Sequence, residues 1–447
     1  MYIIYNMYMG KICCILALGL AATLQNATAQ ESMSLQECVK YAIDHNIGIE
    51  QRKLQEQNAE ISLQTSKYSR LPSVSASVSQ GFGFGRSTGR DGSTVDQTSA
   101  NTSFNLGAQM PIFTGFRIPN QIKADEYSLK AATENLEKAK RDITVSVASY
   151  YLNALYYKGL TGIQEQQLAL DKDALKKAES LVEAGKRPES EVASAKAQVA
   201  MTEHSLTEAR GNELMARLDL IQMLNLDCDA EKFSVMELDT TSLLGDMPLP
   251  ETVFAQAVES HPMIMAAKYN LEQSRHQLKV AKSSLMPTVS LSASYSNSYF
   301  HLYDSDFNQS FGKQLDLNGS EYLGLSVSIP IFQRFSSRNS VRQARLNVKN
   351  YNWALEESRQ TLHKEIQQAY WNAAKSRDNF ASAQKATEST RVAYQYEADR
   401  FEAGRSTAYD LQSARTKLEK AMHDELQSKY EYLIRVKILE FYNGVDF

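Results

Sequence analysis

The sequence has 447 residues, of which 43% are hydrophobic and 22% are charged, and its formal net charge is −4 at pH 7. This mild negative charge gives no support for binding to nucleic acid. Beyond the N-terminal region no apolar run is long enough for a membrane-spanning helix, so any passage through a membrane must use strands.

Residues 1–29 are typical of a cleaved secretory signal peptide. Lys11 is followed by the apolar run Ile12–Leu24, and small residues close the segment. An uncleaved membrane anchor is the alternative. Cys38 and Cys228 remain in the mature chain, where they either pair or stay as two free thiols, because the sequence does not give their separation.

The mature chain consists of two tandem repeats, predicted at residues 30–249 and 250–447. Features of the first half return in the second at a constant offset over a long ungapped stretch, which indicates internal duplication. The matching pairs are Pro111 and Pro330, Tyr151 and Tyr370, Asn153 and Asn372, and Gly185 and Gly404.

Each repeat opens with two short helices and continues with strands. The helices are predicted at Leu35–His45, Ile47–Ser69, Val253–His261 and Met263–Ser284. Apolar and small polar residues then alternate, which predicts β-hairpins at 73–110 and 288–330. The Gly/Ser/Asp-rich segments 86–97 and 301–319 are predicted to be the loops of these hairpins.

The alternation gives each strand one polar and one apolar face. The positions predicted to face a water-filled lumen are Ser73, Ser75, Ser77, Ser290, Ser292, Ser294, Ser326 and Ser328. Aromatic residues near the strand ends are assigned to the apolar face, as at the interfaces of an outer-membrane barrel. They are Phe82, Phe84, Phe104, Tyr295, Tyr299, Phe300 and Tyr322.

Four strands do not close a barrel, and an open strand edge is excluded from lipid. Closure therefore requires several copies of the chain. Two copies would give an eight-stranded barrel filled by side chains, whereas three would give twelve strands and an open lumen, which the serine-lined face favours. A soluble four-stranded sheet with a serine-rich outer face is the alternative.

Very long helices follow the hairpins. The stretch Ile331–Ala403 contains no Gly or Pro and carries heptad repeats, which predicts one helix of roughly 100 Å that packs against neighbouring helices. The long helices are assigned to 117–182 and 335–403. Returning helices are predicted at 189–224 and 407–442, with an irregular collar at 225–249.

These features together resemble the TolC family of outer-membrane efflux channels. The motifs are Leu71-Pro72-Ser73-Val74 and Met286-Pro287-Thr288-Val289 before the strands, Met110-Pro111-Ile112-Phe113 and Ile329-Pro330-Ile331-Phe332 after them, and Ala-Gly at both helix turns. The resemblance covers nearly all of the mature chain. It implies an α+β membrane protein in which three protomers share a twelve-stranded barrel, continued by an α-helical tunnel through the periplasm.

The resemblance also implies a gate at the helix turns, the periplasmic tip. The family's gating aspartate corresponds to Asp410, with Glu191 at the matching place in the first repeat, but the family's second acidic position is Ser413 here. Asp410 and Glu191 are otherwise ordinary acids of a first helical turn. Gly185, Lys186, Arg187, Gly404 and Arg405 form the turns themselves. Their basic residues either contact an adaptor or a neighbouring protomer, or lie in solvated loops.

The predicted function is a passive homotrimeric duct that exports small molecules with a periplasmic adaptor protein and an inner-membrane pump. The alternatives are a duct for type I protein secretion and a non-conducting coiled-coil rod in the envelope. Lipid of the outer membrane is the expected surrounding, and nucleic acid is not a partner. The sequence offers no nucleophile or metal motif, so we expect neither catalysis nor a cofactor or metal.

Overall fold

The computed structural model describes residues 32–88, 92–238, 247–303 and 308–444. The predicted signal peptide and residues 239–246 of the predicted collar lie outside these ranges. The chain divides into two units. The first unit comprises Met1–Glu50, Ala139–Ala257 and His363–Phe447, and the second comprises Gln51–Lys138 and Val258–Leu362.

Helices make up most of the described chain. In order they are α1 (Leu35–His45), α2 (Ile47–Tyr68), α3 (Arg117–Glu183), α4 (Glu189–Leu224), α5 (Pro250–Ser260), α6 (Pro262–Ser283), α7 (Phe311–Asn318), α8 (Ser336–Glu402) and α9 (Ala408–Tyr442). α3 and α8 have 67 residues each, roughly 100 Å at the rise of an α-helix. Within the described ranges, no helix combines the length and apolar character needed to cross a membrane.

The start of α8 corrects the sequence-based assignment. The stretch without Gly or Pro begins at Ile331, but the helix begins at Ser336, one residue after the assigned start at 335. Arg334 and Phe335 have φ angles of 50° and 62°, a left-handed conformation that a right-handed helix cannot include. Phe116, with φ of 66°, lies at the corresponding place before α3. Both long helices therefore begin beyond a left-handed corner.

The strands follow in chain order as β1 (Ser32–Met33), β2 (Ser73–Gly83), β3 (Arg86–Thr88), β4 (Thr94–Asp96), β5 (Ser99–Phe113), β6 (Ser234–Val235), β7 (Thr288–Leu302) and β8 (Ser320–Ser328). Four of them form one antiparallel sheet in the order β2-β5-β7-β8. Among the described residues, β2 and β8 each have a strand neighbour on one side only. The sheet therefore has two open edges.

The register of the sheet gives it one serine-rich and one apolar face. Ser73 lies opposite Gln109, which lies opposite Ser292 across the next pair of strands. Since residues directly opposite each other point to the same side, all eight serines named above share one face. The other face is apolar and exposed to solvent in the single chain, and it includes Val74, Val78, Leu106, Leu323, Leu325 and Val327.

The same register corrects two aromatic positions. Tyr322 pairs with Ser294 and Phe300 with Asn101, so both lie on the serine-rich face and not on the apolar face. Tyr322 lies over Gly324, where an added Cβ would collide with the Tyr322 ring and hydroxyl. The aromatic residues therefore do not form one belt on the apolar side, because two of them occupy even-numbered positions of β7 and β8.

The predicted hairpin loops contain regular structure. β3 and β4 extend the first hairpin, and α7 lies within the second. Gln314 in α7 donates from Nε2 to the carbonyl of Phe300 at 2.8 Å and accepts from the amide of Phe300 at 2.9 Å. Phe311 packs edge-on against Tyr299, with ring centroids 5.1 Å apart. These contacts explain why a loop that was predicted from composition holds a helix.

The core of the first unit lies where α1, α3 and α4 meet the strands β1 and β6. Tyr151, Leu152, Leu155 and Phe233 are buried there. The Tyr151 hydroxyl lies 3.0 Å from the carbonyl oxygen of Met33 and 2.7 Å from that of Met236. Burial raises the pKa of Tyr151, so its hydroxyl keeps its proton and links the two segments.

Packing in the second unit brings α2 and α6 against the first turns of α3. Thr133 Oγ1 donates to Glu56 Oε1 at 2.6 Å, and Ser66 donates to Asp125. Tyr127 stacks on His276 with ring centroids 5.7 Å apart. Polar and aromatic contacts therefore join α2 and α6, which precede strands, to α3, which follows one.

Cys38 and Cys228 do not form a disulfide with each other in the structure, although the sequence left open whether they pair. Cys38 is 0% exposed, and burial raises the pKa of its thiol to about 12. Because the thiolate is the nucleophile, we expect N-ethylmaleimide at neutral pH to label the half-buried Cys228 and to leave Cys38 unmodified. Peptide mass spectrometry reads out the labels.

Unfolding in denaturant before labelling is the control, and it should expose both thiols. Equal labelling of the two cysteines in the native protein, or a peptide joined by a disulfide, would contradict this assignment.

Candidate functional site

The two helix turns predicted to form the tip have the same backbone structure. Gly185 and Gly404 have φ angles of 67° and 69°. Lys186 N donates to Leu181 O at 2.9 Å and Arg405 N to Arg400 O at 2.8 Å, which is the Schellman termination of a helix. Nothing lies within 4 Å of a Cβ added at either glycine, so conformation and not space requires glycine there.

Asp410 belongs to the cap of α9. Thr407 Oγ1 accepts from Asp410 N at 3.1 Å, while the Asp410 carboxylate accepts from Thr407 Oγ1 at 2.6 Å. These two contacts and the bond from Thr407 N form a capping box. The hydrogen bond from the Thr407 hydroxyl holds the pKa of Asp410 below its ordinary value. The carboxylate is therefore charged, exposed and fixed in position.

Glu191, at the matching place of the first repeat, has a different partner. Its Oε1 accepts from Arg187 Nη1 at 2.9 Å, and both side chains are partly buried. The guanidinium of Arg187 also lies over the ring of Phe401, 5.2 Å from its centroid. The first turn thus contacts the end of α8, and the two acidic positions are equivalent in sequence but not in structure.

Further contacts join the helix pairs near the turns. Lys177 Nζ lies 2.5 Å from Glu402 Oε1, and Gln412 Nε2 donates to Gln198 Oε1 at 2.9 Å. A cavity of about 730 Å³ lies among these helices. The structure therefore brings the two predicted turns, with their candidate residues, into one region of the first unit.

The cationic side chains of Lys186 and Arg405 are exposed and form no ion pair with any residue that the structure describes. Tyr409, which the sequence analysis missed, is 80% exposed beside Asp410. Exposed tyrosine and arginine side chains suit recognition of another protein, because both residue types are enriched in protein interfaces.

A buried ionic network deeper in the same unit was also missed. The side chain of Asp171 on α3 is 1% exposed and forms an ion pair with Arg415 on α9. Thr202 Oγ1 on α4 donates to the same carboxylate at 2.6 Å, and Arg415 Nε donates to Glu419 Oε1 at 2.9 Å. The network ties three helices together.

The electrostatics of this network are balanced by its contacts. Burial lowers the pKa of Arg415, but the hydrogen bond and charge of Asp171 outweigh it, so the net shift is upward.

The network had one signal in the sequence, because Asp171 lies three residues after the seam residue Leu168. An acid at such a heptad position indicates a polar partner on a facing helix.

The eight serines lie in the second unit, on one face of the sheet. Ser73, Ser75 and Ser77 are exposed, and Ser290 and Ser292 are partly covered. Across the described part of the chain, no group of three or more His, Cys, Asp or Glu side chains could hold a metal ion.

An amphipathic sheet joined to paired 67-residue helices is the architecture of an outer-membrane export channel. The family model for outer membrane efflux proteins matches residues 39–226 and 253–445, one match in each repeat. The chain belongs to this outer membrane efflux protein family and is a protein of the outer membrane. The resemblance drawn from the sequence is thereby confirmed.

Known relatives and structures agree with this assignment. The outer membrane efflux protein BepC of Brucella suis biovar 1 (strain 1330) is 24% identical over 75% of this chain and 72% of its own. The alkaline protease secretion protein AprF of Pseudomonas aeruginosa is 20% identical over 80% of this chain and 75% of its own. The CmeC outer membrane channel of Campylobacter jejuni has a similar fold, with a TM-score of 0.76, 18% identity and coverage of 92% and 86%.

Loss of the Asp171 carboxylate should destabilise the helix pairs. Asp171→Ala leaves the buried guanidinium of Arg415 without its main partner, and we expect a loss of about 3–5 kcal/mol in the free energy of unfolding. Asp173→Ala is the matched control, since that carboxylate is 76% exposed and 3.6 Å from Lys176. The control should cost less than about 1 kcal/mol.

Thermal unfolding of the detergent-purified protein, followed by circular dichroism, compares the two variants. A similar loss of stability in both would argue against a buried network that ties the helices.

Proposed function

We propose that three copies of this chain form a passive duct through the outer membrane that exports small molecules. In this proposal a signal peptide of residues 1–29 is removed. The repeats 30–249 and 250–447 each contribute one hairpin to a twelve-stranded barrel and one pair of long helices to a periplasmic tunnel. The duct itself carries out no chemistry and binds no cofactor.

The observation that carries the proposal is the pair of open edges on β2 and β8. Backbone groups left unpaired in hydrocarbon cost several kcal/mol each, so a sheet in lipid must close. The apolar face would contact lipid, and the serine-rich face would line the lumen. Three copies leave room for water inside, whereas two copies would fill the barrel with side chains.

A second observation favours assembly of several copies. The helix α2 carries a stripe of large apolar residues spaced seven apart, at Ile47, Leu54, Ile61 and Tyr68. Each of them is between 58% and 63% exposed. A heptad stripe of this kind packs against another helix in a coiled arrangement. We assign the stripe to contact with a neighbouring protomer.

The proposed partners at the turns are a periplasmic adaptor and, beyond it, an inner-membrane pump. Lys186, Arg405 and Tyr409 are available for the adaptor, while Asp410 and Glu191 with Arg187 form the narrow end. Gly185 and Gly404 hold the turns. Energy for transport comes from the pump, because nothing in the sequence suggests a nucleotide site.

Type I protein secretion is the second candidate function, since AprF is named for secretion of an alkaline protease. The same duct geometry serves either cargo, and the name of BepC as an efflux protein favours the first. A non-conducting rod is the remaining alternative. Conductance of the purified protein in lipid bilayers separates the rod from both ducts.

The stripe on α2 provides a test of assembly. Leu54→Glu combined with Ile61→Glu places two charges in the proposed interface, where burial of each apolar side chain contributes about 1.5–3 kcal/mol. We expect the trimer to dissociate. Gln55→Glu is the control on the same helix, because this exposed position lies about 100° around the helix from Leu54, and it should leave the trimer intact.

Light scattering after size-exclusion chromatography in detergent measures the oligomer. If the double variant is still a trimer, the stripe does not lie in the interface between protomers.

A second test addresses the narrow end. Asp410→Asn removes the charge but keeps an oxygen for the cap, so we expect a reduced preference for cations in single-channel recordings. Because the pKa of Asp410 lies below its ordinary value, the wild-type preference should persist at mildly acidic pH and disappear only at lower pH.

Ser413→Asn, on the same helix, serves as a control without charge change. If ion selectivity is unchanged in Asp410→Asn, Asp410 caps the helix but does not contribute to ion selectivity.

A further inference from the structure

Exposed basic and apolar side chains lie together where the strands meet the helices. The bases are Arg70, Arg117, Lys282, Arg334 and Arg338. The exposed apolar residues are Phe116, Ile331, Phe332 and Phe335. We call this set the junction belt. All four junctions lie at the same end of the sheet, because the antiparallel register aligns the starts of β2 and β7 with the ends of β5 and β8.

The belt is strongly basic. No Asp or Glu occurs in residues 61–90, 97–124, 273–303 or 322–355, which are the four segments that enter and leave the sheet. None of the five belt bases forms an ion pair with a residue in the described ranges. No acidic side chain in the described part of the chain therefore neutralises these charges.

Basic residues outside the belt lie near His276 on α6. Burial lowers its pKa most, and the charges of Lys279 and Lys123 lower it further. Glu272 and Glu126 oppose this shift more weakly. Exposed bases thus extend from the belt along the adjoining turns of α3 and α6.

The belt also exposes unusual apolar area. Ile331 is 94% exposed, and Phe332 and Phe335 beside it are largely exposed. The left-handed corners at Phe116 and at Arg334 with Phe335 recur in both repeats. The guanidinium of Arg338 lies 5.7 Å from the centroid of the Phe335 ring. Aromatic rings flanked by arginine are typical of a membrane–water interface.

We propose that the junction belt binds the headgroups of anionic phospholipid in the periplasmic leaflet of the outer membrane. The apolar side chains enter the edge of the acyl region, while the bases contact lipid phosphates. If the belt faced a water-filled lumen, its apolar side chains would be exposed to water. The apolar side chains therefore favour a belt that faces lipid. The proposal rests on the sheet lying in the membrane and not on the chain conducting ions.

The test uses the full-length protein purified in detergent. It is mixed with equal amounts of phosphatidylglycerol and phosphatidylcholine, washed by chromatography, and analysed for retained lipid. The belt variant carries Arg117→Gln, Lys282→Gln, Arg334→Gln and Arg338→Gln. The control variant carries Lys385→Gln, Arg391→Gln, Lys417→Gln and Lys420→Gln, which are exposed bases of α8 and α9 with the same total charge change.

We expect wild type and control to retain phosphatidylglycerol preferentially, and the belt variant to lose at least about tenfold of that preference, since one base near an anionic surface changes affinity severalfold. If the belt variant does not fold, replacing Arg117, Arg334 and Arg338 by lysine should keep the preference, whereas Arg334→Gln with Arg338→Gln should reduce it.

Retention that is equal for both lipids in wild type, or that falls equally in belt and control variants, overturns the proposal. Altered ion selectivity with unchanged lipid retention in the belt variant also overturns it, because the bases would then face the lumen. If the wild-type protein does not conduct ions, the proposed duct function is contradicted. The lipid-binding proposal is still tested by lipid retention, which does not depend on conductance.

Discussion

The structure depends on one constraint, which is that backbone polar groups of a strand in lipid must find partners. A single chain supplies four strands whose central pairs are satisfied, but the edges of β2 and β8 are open. Its apolar face is also exposed. Because further copies of the chain can meet both deficits, the open edges, the exposed apolar face and the exposed stripe on α2 all favour the proposed assembly.

The long helices need stabilisation from packing along their whole length. A helix of 67 residues cannot rely on its own propensity, and its stability comes from packing along its apolar seam. Each long helix therefore ends in a Schellman turn at a glycine and returns as a second helix that covers part of the seam. Where the seam contains a charge, as at Asp171, the partner helices provide Arg415 and Thr202. A polar seam position then specifies how these helices align.

The sequence predicted much of this architecture because its signals are local and periodic. Heptad spacing located both long helices, and the alternation of serine with apolar residues located the strands. The glycines at 185 and 404 marked turns because only glycine adopts a positive φ without strain. The family followed from these patterns taken together.

Features that depend on contacts between distant segments could not be read in the same way. The helix α7 was missed because its buried Gln314 is held by the backbone of Phe300, which no local pattern reveals. Pro330 marked the end of the strand, but the left-handed corner at Arg334 and Phe335 contains neither Gly nor Pro, so nothing in the sequence marked the corner itself. The partners of Glu191 and Asp410 are local, since Arg187 lies four residues before Glu191 and Thr407 three before Asp410, and only the contact of Arg187 with Phe401 required the folded chain.

Glu191 and Asp410 show which features the two repeats share and which differ between them. The repeats keep the same backbone at both turns, with glycines at nearly identical φ angles. Their acids nevertheless differ, since Glu191 is held in an ion pair that reaches Phe401, whereas Asp410 is an exposed capping carboxylate. An exposed charge with a depressed pKa can act on passing ions, while a paired one mainly joins helices. In a ring of several protomers the two kinds of turn would alternate, so structural support and electrostatic selection can reside in different repeats of one chain.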